Sequence, residues 1–186
     1  MGSIKKELLS GVFYTAIAKY SGILISLIIT GVLARLISPD KFGIVAVVTV
    51  ITFFFSIFSD LGIGAAIIQN KELQQKDLTQ LFSFTVWSGC ILTLLFFLCS
   101  WPISFFYKEP SKKAITQLLA INLFFASANI VPNALLYKAK AFKFLAWRSL
   151  GVQVSGGIIA ILAALDGAGL YALIINPILS SILLFI

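Results

Sequence analysis

The chain has 186 residues, of which 60% are hydrophobic and only 11% charged, and its mean hydropathy is +1.04. Soluble domains carry roughly 25% charged residues, so too little polar surface is present to clothe a water-facing globule, and the apolar residues must face lipid or one another. The net charge of +7 does not describe a nucleic-acid interface, because the 14 Lys and Arg fall almost entirely in short gaps between apolar runs, where they act as topology signals.

The expected fold is an all-α integral membrane protein, a bundle of about six transmembrane helices forming one domain over 1–186. Lys5 and Lys6 precede an apolar run, as in a signal peptide, but the run is too long and carries Lys19, so a retained first span is expected. Charge-free intervals place the spans at about 12–33, 42–69, 80–106, 114–137, 149–165 and 168–186, the fifth being the shortest. Lys19 interrupts span 1 and Asp60 interrupts span 2. The connections carry turn chemistry: Ser38-Pro39-Asp40, Lys108-Glu109-Pro110-Ser111 and the hairpin Asp166-Gly167-Ala168-Gly169. Span 6 runs to Ile186 without a basic or Trp anchor, as expected of the first part of a longer protein or a truncated one.

Catalytic and metal chemistry find little support. Histidine is absent, which removes the commonest general base and metal ligand. Cys90 and Cys99 lie nine residues apart in one apolar run, on opposite faces of a helix, so they can share neither a disulfide nor a metal. No loop is large enough for a catalytic domain. No enzyme activity, metal or resident cofactor is expected.

Basic residues orient the bundle. Lys5, Lys6, Lys71, Lys76, Lys138, Lys140, Lys143 and Arg148 lie on one side, eight against the five of Arg35, Lys41, Lys108, Lys112 and Lys113. The positive-inside rule then puts the N-terminus in the cytoplasm. Lys138, Lys140 and Lys143 alternate with Phe142, Phe144 and Trp147, a composition suited to the membrane interface. Anionic head groups would contribute about 1 kcal/mol per basic residue there. Docking of an anionic substrate on this loop is the alternative.

Polar groups within the spans are the candidate functional residues. Small residues recur in span 1 at Ala18, Gly22, Ser26, Thr30 and Ala34, a stripe suited to close helix approach. In span 2, Thr49, Thr52, Ser56, Ser59 and Asp60 occupy an arc of about 100°. They either bond back to their own helix, with Asp60 at the interface, or form a wet cavity wall. Gly62 and Gly64 weaken the helix beyond them. Asn122, Asn129 and Asn133 fall within about 40° on span 4, with Pro132 among them as a kink. These amides serve either interhelical hydrogen bonds or a polar ligand such as a sugar. Asn176-Pro177 makes Pro177 a second hinge candidate. Lys19 lies about 10 Å into span 1 by helical rise, where a lysine costs roughly 2.5–3.5 kcal/mol on insertion scales. It either snorkels to the interface or faces a cavity that receives an anion.

Two segments carry a resemblance. Ala34-Arg35-Leu36-Ile37-Ser38-Pro39-Asp40-Lys41-Phe42-Gly43 resembles the ARLLSPEDFG segment of bacterial polysaccharide transporters. Phe58-Ser59-Asp60-Leu61-Gly62-Ile63-Gly64-Ala65-Ala66-Ile67-Ile68-Gln69 resembles their FSDLGLGAALIQ segment at the matching distance. Weaker similarity continues through Phe106-Tyr107, Val131-Pro132 and 138–144. The family is the O-antigen and exopolysaccharide flippases, in the superfamily that includes the lipid II flippase and the multidrug and toxin exporters. The resemblance implies a two-lobed transporter around a central cavity, of which six spans would be the N-terminal lobe. It implies flipping of undecaprenyl-pyrophosphate-linked oligosaccharides across the bacterial inner membrane by alternating access, for O-antigen, capsule or exopolysaccharide synthesis. Implied partners are the lipid-linked oligosaccharide, membrane lipids, and a missing C-terminal lobe or second subunit. Proton or sodium coupling, or the membrane potential, would supply energy. Lys19 stands where relatives place a cavity cation. The rivals are a drug exporter of the same superfamily, which would favour a net acidic cavity; a membrane-embedded glycosyltransferase or polymerase, which would favour paired acidic residues and a large loop; and an accessory subunit.

Orientation is directly testable. Cysteine introduced at Ser111 is expected to react with an impermeant maleimide in intact cells, and cysteine at Gln74 is expected to remain unlabelled; the reverse pattern inverts the topology.

Overall fold

The computed structural model describes the backbone of residues 2–60, 62–70, 72–107 and 110–185, and the side chains of 2–10, 12, 103, 104, 106, 107 and 110–112 fall outside the description. Lys71 and Lys108, and the side chains of Lys5, Lys6 and Lys112, therefore lie outside the description, and with them part of the basic-residue pattern. In chain order the helices are α1 (Gly2–Leu36), α2 (Pro39–Asp60), α3 (Ile63–Gln69), α4 (Gln75–Tyr107), α5 (Pro110–Ala128), α6 (Ile130–Lys138), α7 (Phe142–Leu165) and α8 (Leu170–Phe185). Among the described residues there is no strand. The all-α membrane architecture expected from composition is the one observed.

Local chemistry explains the boundaries. Pro39 opens α2 at the first helical position, where its missing N–H costs nothing. Asp77 Oδ2 accepts the Gln74 N–H at 2.9 Å and fixes the start of α4, as an acidic residue at the third position does in a capping box. At the end of α7, Ala168 N–H bonds to the Ala163 carbonyl at 2.9 Å and Gly167 N–H to the Ala164 carbonyl at 3.2 Å. With Gly167 at φ 84°, this is the left-handed helix stop that glycine favours. The end of α6 uses the same pattern, with Lys140 in the left-handed position at φ 56°.

Five stretches are long and apolar enough to cross a membrane: Phe13–Leu36, Pro39–Gln69, Gln75–Pro102, Lys113–Lys138 and Phe142–Leu165. Two of the expected lengths change. The fifth span is not the shortest, because α7 begins at Phe142 and its first turns carry Lys143 and Arg148 within regular helix. A rule that ends spans at charges cut this helix too late. The 16 described residues of α8 reach about 24 Å at 1.5 Å per residue.

Spans 2 and 4 are both interrupted. Gly62 adopts φ 78° between α2 and α3. A one-residue break at Asn129, itself in the right-handed helical region, separates α5 from α6. Pro132, third in α6, lacks the N–H that would reach the Ala128 carbonyl, and its ring crowds that carbonyl. Pro177, by contrast, sits inside a continuous α8.

Three apolar clusters hold the bundle. Val48, Phe96, Ile115, Leu119, Leu123 and Ile174 join α2, α4, α5 and α8. Ile29, Leu33 and Ile37 pack with Ala160, Ala164 and Ala172 to join α1, α7 and α8. Ile67, Val131 and Ala134 join α3 to α6 beyond the interruptions. Between α1 and α7, Gly11 meets the Phe142 ring and Gly22 meets Gln153, pairs separated by 131 residues each (142 − 11 and 153 − 22). Equal offsets mean that the two helices run parallel. Gln153 Nε2 donates to the Gly22 carbonyl at 2.9 Å. The span 1 small-residue stripe is only partly a packing face: Ala18 and Gly22 are half-buried, whereas Ser26, Thr30 and Ala34 are exposed. A four-residue repeat drifts about 40° per step around a helix, so the stripe winds away from α7.

α4 and α5 approach closely at Gly89, where an added Cβ would lie 2.7 Å from Ser127 Cβ of α5. Gly31 of α1 has nothing within 4 Å of such a Cβ. Gly89→Val is expected to cost about 1–3 kcal/mol through overpacking, read as a lowered melting temperature in detergent. Gly31→Ala is expected to leave melting unchanged or raise it.

Candidate functional site

The polar residues gather at the end of the bundle that holds the start of α7 and the ends of α3 and α6. Ser56, Ser59 and Asp60 from α2 face Asn133, Ala134 and Tyr137 from α6 across a groove of about 460 Å³. Gly64, Ala65 and Ile68 of α3, with Ala126 and Ile130, complete its walls. The groove exists because both spans are interrupted at one level. Ser59 and Ser127, whose hydroxyls lie 3.1 Å apart, are 68 residues apart in sequence. So are Asn70 and Lys138, whose Nζ donates to the Asn70 carbonyl at 2.7 Å. The two spans are therefore parallel and in constant register, and Gly62 stands level with Ile130.

Asp60 is exposed, and its Oδ1 accepts the Gly64 N–H at 3.3 Å, satisfying one of the open donors in the first turn of α3. Ser56 is half-buried and donates to the Phe53 carbonyl at 2.7 Å. Its lone pairs remain available to a ligand. Asn133 is half-buried, and its Oδ1 accepts from an Arg148 guanidinium nitrogen at 3.4 Å.

A second groove, of about 280 Å³, lies between α1 and α7. Thr15, Ala18 and Lys19 form one wall, and Phe142, Leu145, Ala146 and Ser149 the other. Tyr137 lines this groove as well as the first. Lys19 is thus exposed in a notch lined by hydroxyls. Tyr137 is 45% exposed. Its ring stands edge-to-face with Phe142, centroids 6.4 Å apart.

The remaining candidates point elsewhere. Asn122 accepts from the Ser181 hydroxyl, and Asn129, 5% exposed, donates Nδ2 to the Ser181 carbonyl at 3.0 Å. Both amides tie span 4 to α8, and neither is among the residues that line the first groove. Asn129 Oδ1 is buried without a hydrogen-bond partner among the described residues. The basic loop divides: Lys138 bonds to Asn70, Lys140 and Lys143 are exposed, and half-buried Arg148 reaches inward to Asn133 and the Leu184 carbonyl. Pro132 lies in α6 between Ile130 and Asn133, which line the first groove, and Pro177 lies on α8, outside both grooves.

Tyr137 was missed by sequence reasoning, as were Thr15 and Ser149. The available signal was spacing: Tyr137 follows Asn133 by one helical turn and so shares its face.

The molecule is thus an all-α, multi-pass membrane protein with two adjoining grooves at one end that hold Lys19, Ser56, Asp60 and Asn133. A family model described as polysaccharide biosynthesis protein matches residues 32–186, and the chain belongs to that family. Among curated proteins it is similar to the lipopolysaccharide biosynthesis protein WzxC of Escherichia coli, 28% identical over 85% of this chain and 31% of that protein. It is 28% identical to the teichuronic acid biosynthesis protein TuaB of Bacillus subtilis, over 65% of this chain and 25% of that one. The succinoglycan biosynthesis transport protein ExoT of Rhizobium meliloti is 22% identical over 81% of this chain and 31% of its own length. The chain therefore spans about a third or less of the relatives it matches. No solved structure matches it.

The amide ties are measurable. A double-mutant cycle of Asn122→Ala and Ser181→Ala in detergent is expected to give a coupling of about 0.6–1.7 kcal/mol, the range for hydrogen bonds between membrane helices. A coupling near zero would remove the tie.

Proposed function

We propose that the chain is the N-terminal lobe of a transporter that moves lipid-linked oligosaccharides across the bacterial inner membrane, with its N-terminus in the cytoplasm. The observation that carries this reading is the pair of adjoining grooves, one holding a cation and one holding hydroxyl, amide and carboxylate groups, at the end that the basic residues assign to the cytoplasm. The difficulty in such transport is to take a pyrophosphate and a sugar past hydrocarbon while the apolar tail stays in the bilayer. Lys19 would receive the anion, worth more in a partly desolvated notch than in water. Alternating access against a second lobe would then carry the head group across, driven by a proton or sodium gradient or by the membrane potential. No covalent step is required, and none of the groups in the grooves is arranged for one. Membership in the polysaccharide biosynthesis family, and a relative described as a transport protein, support this reading.

Lys19 provides the test, made with the chain expressed together with the rest of the transporter in a strain lacking its own flippase. Lys19→Gln is expected to insert as well as or better than the wild type, since no charge is desolvated. Surface polysaccharide should nonetheless fall by at least about tenfold, as for a lost charged hydrogen bond. Lys19→Arg should retain part of the activity, because the charge persists while the geometry changes. Normal polysaccharide from a well-expressed Lys19→Gln protein would show that Lys19 merely snorkels.

A further inference from the structure

We propose that the groove between α2, α3 and α6 is a sugar subsite selective for uncharged sugars over acidic ones, with Tyr137 as its specificity-determining wall; this rests on the proposed transport of lipid-linked oligosaccharides. Its lining fits a pyranose. A sugar presents hydroxyl donors and acceptors around its rim and C–H groups on its faces. Asp60 accepts hydroxyl protons, Ser56 offers lone pairs, and Asn133 offers donors from its amide nitrogen. Ala65, Ile68, Ala126 and Ile130 provide apolar surface for the C–H faces. At about 460 Å³ the groove lies within the usual range of small-molecule sites, which combine mostly apolar walls with a few placed polar groups.

Asp60 sets the sign of the selectivity. It is exposed into the groove, and its recorded contact is the weak 3.3 Å bond from the Gly64 N–H. A uronic acid placed here would set carboxylate against carboxylate. A neutral hexose would instead donate to it.

Tyr137 marks where the subsite ends. It is the residue common to the sugar groove and the Lys19 groove, so a ligand whose anion sits at Lys19 passes this ring to reach Asp60. The ring is held on one side, and the helix end that carries it is tied down. Phe142 stands edge-to-face against it and is itself lodged over Gly11 of α1, where an added Cβ would meet the Phe142 ring at 2.6 Å. The adjacent Lys138 ties the end of α6 to Asn70. A ring so held can present its face to a sugar at little entropic cost.

The test uses the protein in nanodiscs and three synthetic probes: geranyl pyrophosphate, and conjugates in which the pyrophosphate carries glucose or glucuronic acid. Binding is followed by native mass spectrometry. The glucose conjugate is expected to bind about tenfold more tightly than the glucuronate conjugate, and Asp60→Asn should abolish that preference. Tyr137→Ala should weaken the glucose conjugate about fivefold more than it weakens geranyl pyrophosphate, from lost ring contact with the sugar. Tyr137→Phe should restore binding. Equal binding of the two conjugates by the wild type overturns the proposal. So does an equal loss of all three probes in Tyr137→Ala, which would mean that the ring serves only the fold. Sugar conjugates that bind no better than geranyl pyrophosphate also overturn it, while leaving the Lys19 site standing. If geranyl pyrophosphate itself fails to bind and Lys19→Gln changes nothing, the transport reading falls, and the subsite falls with it.

Discussion

A backbone amide left unpaired in hydrocarbon costs several kcal/mol, and this constraint governs the rest of the bundle. It forces the chain into helices and makes every interruption of a helix meaningful. Spans 2 and 4 are interrupted at one level because they run parallel, in a register held by the Ser59–Ser127 contact and by Lys138 on Asn70. The open groups at the interruptions are then satisfied locally. Asp60 takes the Gly64 N–H, and the helical bonds resume with Ala66 to Gly62 and Asn133 to Asn129. A groove with polar walls at this depth is the outcome, since the helix halves beyond the interruptions pack on one another through Ile67, Val131 and Ala134 rather than on the main core.

The position of Lys19 follows from a different contact. α1 lies along α7 because Gly11, Gly22 and Gly157 let Phe142, Gln153 and Ile29 approach closer than any side chain would allow. In lipid such close packing replaces the hydrophobic effect as the source of helix association. Parallel alignment at a constant offset sets the Lys19 turn of α1 against the Ala146–Ser149 turn of α7 and makes the notch that holds the ammonium. The same alignment wedges Phe142 between α1 and Tyr137, so the packing of α1 on α7 also fixes the wall shared by the two grooves.

Hydropathy and charge made the spans legible, because lipid permits few alternatives to an apolar helix. The interruption of span 2 was legible as well: Gly62 and Gly64 after Asp60 announced a weak point, and Gly62 takes the left-handed conformation there. Span ends were harder to read. The first turns of α7 carry Lys143 and Arg148, yet helix continues through them, since a charge near an interface can snorkel without ending a helix. The grouping of the polar residues could not be read from one helix at a time. Asn122, Asn129 and Asn133 share an arc in an ideal helix, yet Ser181 of α8 holds the first two while the third lines the groove. Asp60 and Asn133 lie 73 residues apart (133 − 60) and meet only through the register of two spans. Tyr137 gave no signal of its own, because a tyrosine near a span end is ordinarily an interfacial anchor.

Keeping Lys19 and Asp60 in separate grooves has an electrostatic consequence. Two opposite charges about 4 Å apart near a protein surface attract by roughly 4 kcal/mol, and a pair so placed would neutralise itself before any ligand arrived. Here one charge stands on α1 against α7 and the other at the end of α2 against α6, with Tyr137 between the two grooves. The ammonium stands in one groove and the carboxylate in the next. A ligand that is anionic at one end and rich in hydroxyls at the other meets a complementary group at both ends, whereas the same ligand reversed meets repulsion at Asp60 and loses the cation. In the proposed transporter, two exposed charges divided by an aromatic wall would fix a direction of binding, something that neither charge alone, nor the two as an ion pair, would do.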